Sequence, residues 1–210
     1  MHTTTGVFVC FEGGEGAGKS TQAGRLCEWL VAQGYAVLLT FEPGDTTVGK
    51  ELRRIVLDPS TGRLSHRTEA LLYAADKAEH VDTVVLPALD RGEVVITDRY
   101  VDSTLAYQGA GRDLDVAELE SVARWATRDL RPHLTVVLDL EPAHGLGRFA
   151  ERDRIEQESA DFHERVRTSF LELAAADPDH YLVLDARGSV EELADAVRAA
   201  VTALLGQARR

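Results

Sequence analysis

Two rhythms of apolar and polar positions alternate along the chain. Short runs dominated by apolar residues at Val7 to Phe11, Ala36 to Thr40, Glu93 to Thr97, Leu134 to Leu140 and Tyr181 to Asp185 predict buried strands. Between them apolar side chains recur at helical spacing. The first helix carries Leu26, Trp29 and Leu30 ahead of a Gln33-Gly34 stop, and further helices are predicted over Thr47 to Asp58 and Thr68 to Leu89. Leu71, Leu72, Ala75, Ala78 and Val81 fall on one side of the latter, expected as one face of the core, and Pro87 is expected to break or kink it near its end. Helices over Val116 to Asp129, around Phe162, Val166, Phe170, Leu171 and Leu173, and over Val190 to Leu205 complete the pattern. Strands alternating with helices predict a doubly wound α/β fold, a parallel five-stranded sheet with helices on both faces.

One segment fits neither rhythm. From Pro142 through Arg154 to Ala160 the chain is charged and has no continuous apolar face. It reads either as a mobile lid, over about residues 145–160, or as a solvated charged loop.

Composition narrows the class. The 210 residues suffice for one sizeable core and call for a single domain. Charged residues make up 28% and hydrophobic residues 44%, as in ordinary globular proteins, and no apolar run approaches a membrane span. Met1 to Gly6 lacks the basic and apolar regions of a signal peptide, so a cytoplasmic location is expected. Cys10 and Cys27 lie in the first strand and first helix without metal-ligand spacing, as reduced residues in or near the core. A net charge of −12 opposes binding to a nucleic acid polymer, so any phosphate ligand must be gripped locally. Basic residues cluster most densely at Arg148, Arg152 and Arg154.

The candidate chemistry begins where the first strand gives way to the first helix. Gly13 to Thr21, GGEGAGKST, fits the phosphate-loop pattern G-x-x-x-x-G-K-[ST] in full. Backbone N–H groups converge on a polyphosphate only if the loop curls tightly, which Gly13, Gly14, Gly16 and Gly18 permit around Glu15 and Ala17. Lys19 would reach the β- and γ-phosphates, Ser20 would hold Mg²⁺ through its hydroxyl, and the helix starting there would aim its dipole at the anion. Asp98, at the carboxyl end of the third strand, is the candidate carboxylate opposite Ser20. The turn Phe41-Glu42-Pro43-Gly44-Asp45 ends the second strand, where open α/β sheets place ligands. A switch protein would show a guanine-reading N-K-x-D string after the third strand, which is missing, and a motor would be larger and basic. A kinase for a small phosphorylated acceptor needs a second anion site, for which Arg99 is placed.

At this level the residues resemble a family. FEGGEGAGKSTQ (Phe11 to Gln22), EPG (Glu42 to Gly44), DRYVDSTLAYQGAGR (Asp98 to Arg112), LDLEP (Leu138 to Pro142) and DRIEQES-x-x-F (Asp153 to Phe162) resemble, in this order, bacterial thymidylate kinase. The resemblance implies transfer of the γ-phosphoryl group of ATP to dTMP, with Mg²⁺, in a homodimer. It places Glu15 near the acceptor's sugar hydroxyl, Arg99 on the acceptor phosphate, Tyr73 against the base, and Tyr107 and Gln108 in the acceptor pocket, with Glu42, Pro43 and Ser103 beside them. It sets Thr21 with the rest of the phosphate loop on ATP, Arg148 over the adenine, and Asp185-Ala186 beside that ring. With Gly at position 16, the family's charge-neutralising arginine comes from the lid, as Arg152 or Arg154. That agrees with the chemistry, because phosphoryl transfer spreads negative charge that a guanidinium can stabilise.

Four positions depart from the family. Phe41 stands where an arginine usually precedes the EPG turn, and Asp45 where a second glycine is usual, with Arg53 or Arg54 as candidate compensation. Lys77 stands where the family uses an arginine to bond a thymine carbonyl, and lysine lacks the planar fork. Glu79 replaces a commonly neutral residue, and the lid is a few residues short. A kinase for another or modified pyrimidine deoxynucleotide, or a non-catalytic nucleotide-binding protein, are the competing readings.

Overall fold

The computed structural model describes residues 5–148 and 152–208. Five strands form one parallel sheet: β1 (Val7–Gly13), β2 (Val37–Phe41), β3 (Val94–Asp98), β4 (Leu134–Asp139) and β5 (Tyr181–Asp185), in the order β2-β3-β1-β4-β5. The central strand β1 is buried along its whole length, whereas the edge strands β2 and β5 are half exposed. This explains why β1 reads as a continuous apolar run: a parallel strand covered on both faces has no side to leave polar.

The pleat of β1 divides the core in two. Val7, Val9 and Phe11 pack with Leu26 and Leu30 of helix α1 (Lys19–Ala32) and with residues of the last helix, such as Val197 and Val201. Phe8 and Cys10 face the other way, against Val81, Val85, Leu89 and Tyr100. Cys10 is buried and Cys27 half-buried, and both are free thiols. Further helices are α2 (Thr47–Leu57), α3 (His66–His80), α4 (Leu86–Asp90), α5 (Val101–Thr104), α6 (Val116–Ala126), α7 (Pro142–Leu146), α8 (Ala160–Ala176) and α9 (Val190–Ala208).

The sequence rhythm and the structure differ at informative places. Pro87 does not end its helix: a π turn over Val81–Val85 joins α3 to α4. A proline has no N–H to donate and crowds the carbonyl four residues back, and a local widening of the helix accommodates both. A second π turn, Leu105–Gly111, extends α5. Its glycines and the absence of a clear apolar stripe hid that helical segment. Helix α6 stops at Ala126, short of the expected Asp129, because Arg128 and Asp129 take left-handed backbone angles. Of the expected lid, residues 149–151 lie outside the described residues, as do residues 1–4 of the N-terminal stretch. Within the rest, Pro142–Leu146 is helical and Ile155 is buried with Tyr107, Phe162 and Phe170.

Candidate active site

The phosphate loop leaves β1 at the middle of the sheet. Gly13, Gly16 and Gly18 adopt positive φ, and at Gly16 the loop presses against α7, where a Cβ would fall 2.5 Å from the Gly145 carbonyl oxygen. Gly145 is equally constrained, since its own Cβ would lie 2.0 Å from the Glu15 carbonyl oxygen. The sequence reading missed Gly145.

Lys19 folds back over the loop and donates from Nζ to the carbonyls of Gly13 (3.1 Å) and Gly14 (2.7 Å). Burial brings its ammonium down to about 8, Arg99's charge adds to the fall, and Asp98, Glu15 and Glu12 oppose it. A polyphosphate in the loop would supply further charge opposing the fall. Ser20 Oγ donates to Asp98 Oδ2 at 2.5 Å, so the hydroxyl and the carboxylate expected on the metal meet although they are far apart in sequence.

Arg99 sits at φ 73°, a left-handed angle uncommon for a non-glycine residue. Its guanidinium donates to Gly13 O (3.2 Å) and Ser103 Oγ (3.1 Å), approaches Glu15 Oε1 at 3.4 Å and lies 5.0 Å over the Tyr107 ring. Below it the wholly buried Glu12 accepts from Tyr100 N (2.8 Å), Ser103 N (3.1 Å) and Ser103 Oγ (2.6 Å). Glu12 thereby fixes the start of α5 and the residues that carry Arg99. It was missed in the sequence, where its one signal is an acidic residue closing an apolar strand.

Glu15 is held from three directions. Tyr107 Oη donates to its Oε1 at 2.5 Å, Arg99 approaches the same oxygen, and His163 Nδ1 stands 3.2 Å from Oε2. Burial would raise the carboxyl, but His163 first, then the charges of Arg99 and Lys19 and the Tyr107 hydroxyl, hold it at about 2. Buried His163 carried no motif by which the sequence could have flagged it.

A cleft of about 640 Å³ runs from this loop toward α3. Glu15, Gly16, Gly18, Lys19, Ser20 and Thr21 line one end, together with Asp98 and Arg148. Phe41, Glu42, Pro43, Arg53, Tyr73 and Lys77 line the other, with Arg99, Ser103, Tyr107 and Gln108 between. Gly13, Gly14 and Ala17 are not among the residues that line the cleft. Ala186 packs in the same apolar cluster as Ala17, and Asp185 pairs with Arg187, both off the cleft wall. Arg148 Nη1 donates to Gly16 O at 2.6 Å. Arg152 donates to Leu146 O at 3.4 Å, and Arg154 is buried against Glu69; neither lines the cleft.

Two of the residues that depart from the family, Asp45 and Lys77, are connected. Lys77 Nζ lies 3.0 Å from Glu42 Oε2, both side chains being buried. Glu42 Oε1 meets His80 Nδ1 at 2.7 Å, His80 Nε2 meets Thr40 Oγ1 at 2.6 Å, and Thr40 donates to Asp45 Oδ2 at 2.5 Å. Asp45 is therefore engaged by Thr40 and is not a free negative charge facing the cleft. Arg53 donates to Pro43 O at 2.7 Å and lies 5.8 Å over the Phe41 ring, whereas Arg54 points outward to Glu51. Asp76 accepts from Gly44 N at 3.0 Å, and burial, followed by the charge of Glu42, pushes its carboxyl up to about 6.

A parallel α/β sheet whose central strand ends in a glycine loop, with lysine, hydroxyl and carboxylate converging there, defines the phosphate-loop class of nucleotide-binding proteins. Within it, the family model for thymidylate kinase matches residues 11–197. A thymidylate kinase of Cutibacterium acnes is 56% identical over 202 residues, covering 96% of this chain and 99% of that protein. One from Clavibacter sepedonicus is 54% identical over 205 residues, covering 96% and 97%. The crystal structure of thymidylate kinase from Ehrlichia chaffeensis superposes with a TM-score of 0.71 at 30% identity, covering 85% of this chain and 92% of that one. The chain belongs to the thymidylate kinase family.

Proposed function

We propose that the protein transfers the γ-phosphoryl group of ATP to the 5′-phosphate of dTMP, giving ADP and dTDP, as a single-domain cytoplasmic homodimer. The observation that carries this reading is one continuous cleft, with a phosphate loop at one end, a pocket that sets Phe41, Pro43 and Tyr73 beside charged Glu42, Arg53 and Lys77 at the other, and Arg99 between them. Lys19 and the loop amides receive the β- and γ-phosphates, with Arg148 flanking the donor side. Arg99 orients the acceptor phosphate for in-line attack, so that catalysis is mainly positioning and charge stabilisation. Tyr73 offers a flat face to the base, Glu15 a carboxylate to the sugar, and Arg152, in the lid segment, a source of positive charge.

Ser20 and Asp98 suit Mg²⁺, because a hydroxyl and a carboxylate are the hard oxygen donors that ion prefers, and they already meet. Bound there with ATP, Mg²⁺ would neutralise charge on the phosphate oxygens. No helix among the described residues is long and apolar enough to cross a membrane. Val48 and Leu71 are apolar and exposed on the adjoining α2 and α3, Leu71 lying outside the core where the sequence pattern put it, and both suit burial between two copies.

The Lys77–Glu42 pair supports a second reading, a kinase for another pyrimidine deoxynucleotide, since the base-facing cation is already engaged. A coupled assay of ATP turnover with dTMP, dUMP, dCMP and dGMP tests both. Preference for dTMP is expected; preference for another base would replace the acceptor, and stimulation by none would remove the kinase assignment.

A further inference from the structure

Glu69, on the buried side of α3, is the node of a charge cluster beside the cleft. Its Oε1 accepts from Gln108 Nε2 (2.9 Å) and Arg112 Nε (3.0 Å), and its Oε2 accepts from Arg112 Nη2 (3.2 Å) and meets Arg154 Nη2 at 2.5 Å. Arg154 is bound twice more, through its N–H to Leu57 O (2.9 Å) and through Nε to Val56 O (2.8 Å), at the end of α2. Arg112 passes the connection on to Glu158 at 2.5 Å. The charges of Glu69, Glu158, Arg112 and Arg154 cancel. Burial would raise the Glu69 carboxyl, but hydrogen bonds from Arg112 and Gln108 and the charges of Arg112 and Arg154 hold it below the usual carboxylate range.

This cluster touches the cleft on both sides without facing it. Gln108 lines the cleft, as does Tyr73, one helical turn beyond Glu69 on the same side of α3. Asp153, Ile155 and Glu156, the neighbours of Arg154, also line it, while Arg154 points away. A guanidinium held by a buried carboxylate and a backbone carbonyl is costly to withdraw, because Glu69 would be left with an unbalanced buried charge.

We propose that Glu69 and Arg154 are positioning residues for the acceptor: the pair fixes Gln108 and the 153–156 segment around it, and Arg154 does not contact the transferred phosphoryl group. The assignment rests on the kinase reading above, and the experiment separates the two. Parent turnover with dTMP tests the kinase reading. The pair is tested by dTMP affinity from calorimetry, which needs no turnover, together with kcat, in Glu69→Gln, Arg154→Gln and the double variant.

Each single substitution is expected to weaken dTMP binding by about tenfold, the scale of one charged hydrogen bond, with kcat little changed. The double variant should bind dTMP no more weakly than the weaker single, since both changes break the same link. If Arg154 instead acts on the transferred group, Arg154→Gln lowers kcat on the order of a thousandfold and leaves dTMP binding intact, which overturns the proposal. Additive losses in the double variant overturn it too. Should Glu69→Gln fail to fold, Arg154→Lys decides alone: it keeps the charge but loses the fork, so weaker dTMP binding at unchanged kcat supports the pair and the reverse pattern refutes it.

Discussion

The two ends of the cleft are built by opposite means. At the donor end one continuous loop supplies most of the lining, Glu15, Gly16, Gly18, Lys19, Ser20 and Thr21, and its curl turns backbone groups toward a phosphate. At the acceptor end, side chains from β2 and the turn after it, α2, α3, the π turn after α5 and the 153–156 segment must meet, with Gln108 held by Glu69 and Lys77 by Glu42 across the sequence. A backbone-built site tolerates change around it as long as the curl survives. A side-chain-built site can be retuned one residue at a time, which is where this chain leaves its family, at Phe41, Asp45 and Lys77.

The contrast breaks first, and hardest, at Lys19. Lys19→Ala should lower kcat on the order of a thousandfold with dTMP affinity unchanged, because its ammonium is the charge proposed to stabilise the β- and γ-phosphates. Circular dichroism should show a parental fold, since Lys19 bonds only loop carbonyls. A variant with full turnover would put the chemistry elsewhere in the cleft.

Arg99 joins the two ends, and its replacement should cost less. Arg99→Lys keeps the charge but cannot serve Gly13 O, Ser103 and Glu15 together, so kcat/KM for dTMP should fall roughly tenfold to a hundredfold, with the KM for ATP nearly constant. Equal losses toward both substrates would show that Arg99 supports the loop rather than the acceptor.

The same contrast explains what was legible in the sequence. The phosphate loop and the alternation of strand and helix are local patterns, and both appear in the fold at nearly the expected boundaries. Asp98 was legible because its place at a strand end, next to a known loop, restricts what it can reach. Asp45 and Lys77 were not legible. Read singly, one is a misplaced negative charge and the other a weakened base contact; in the structure both belong to the chain Asp45–Thr40–His80–Glu42–Lys77. Arg154 is similar: its charge was visible, but Glu69 lies far back in the sequence and nothing in the spacing joins them. Glu12, Gly145 and His163 were not legible either, and each acts through a contact that only the folded chain creates.

The smallest effect expected on turnover, and the finest test of the acceptor end, is Asp76→Asn. The Asp76 carboxyl sits beside Glu42, with Oδ1 bonded to Gly44 N and Oδ2 buried without a hydrogen bond, and its value is pushed from 3.8 up to about 6. The folded protein thus binds this proton more tightly than the unfolded chain does. Stability must then fall as pH rises from about 4 to about 6, and the full penalty is present above that. Asparagine keeps an oxygen for Gly44 N and carries no charge. The variant should match the parent's Tm near pH 4 and exceed it at pH 7.5 by several degrees, from about 1–3 kcal/mol of relieved destabilisation. The measurement is thermal unfolding of both proteins across that range, with kcat for dTMP at pH 7.5 expected to stay near the parent's. A Tm difference independent of pH would show that the proton is not held at Asp76. A variant less stable at pH 7.5 would mean that the ionised carboxylate is needed there as a partner for Lys77, so that the acceptor end depends on its charges as strictly as the donor end depends on its curl.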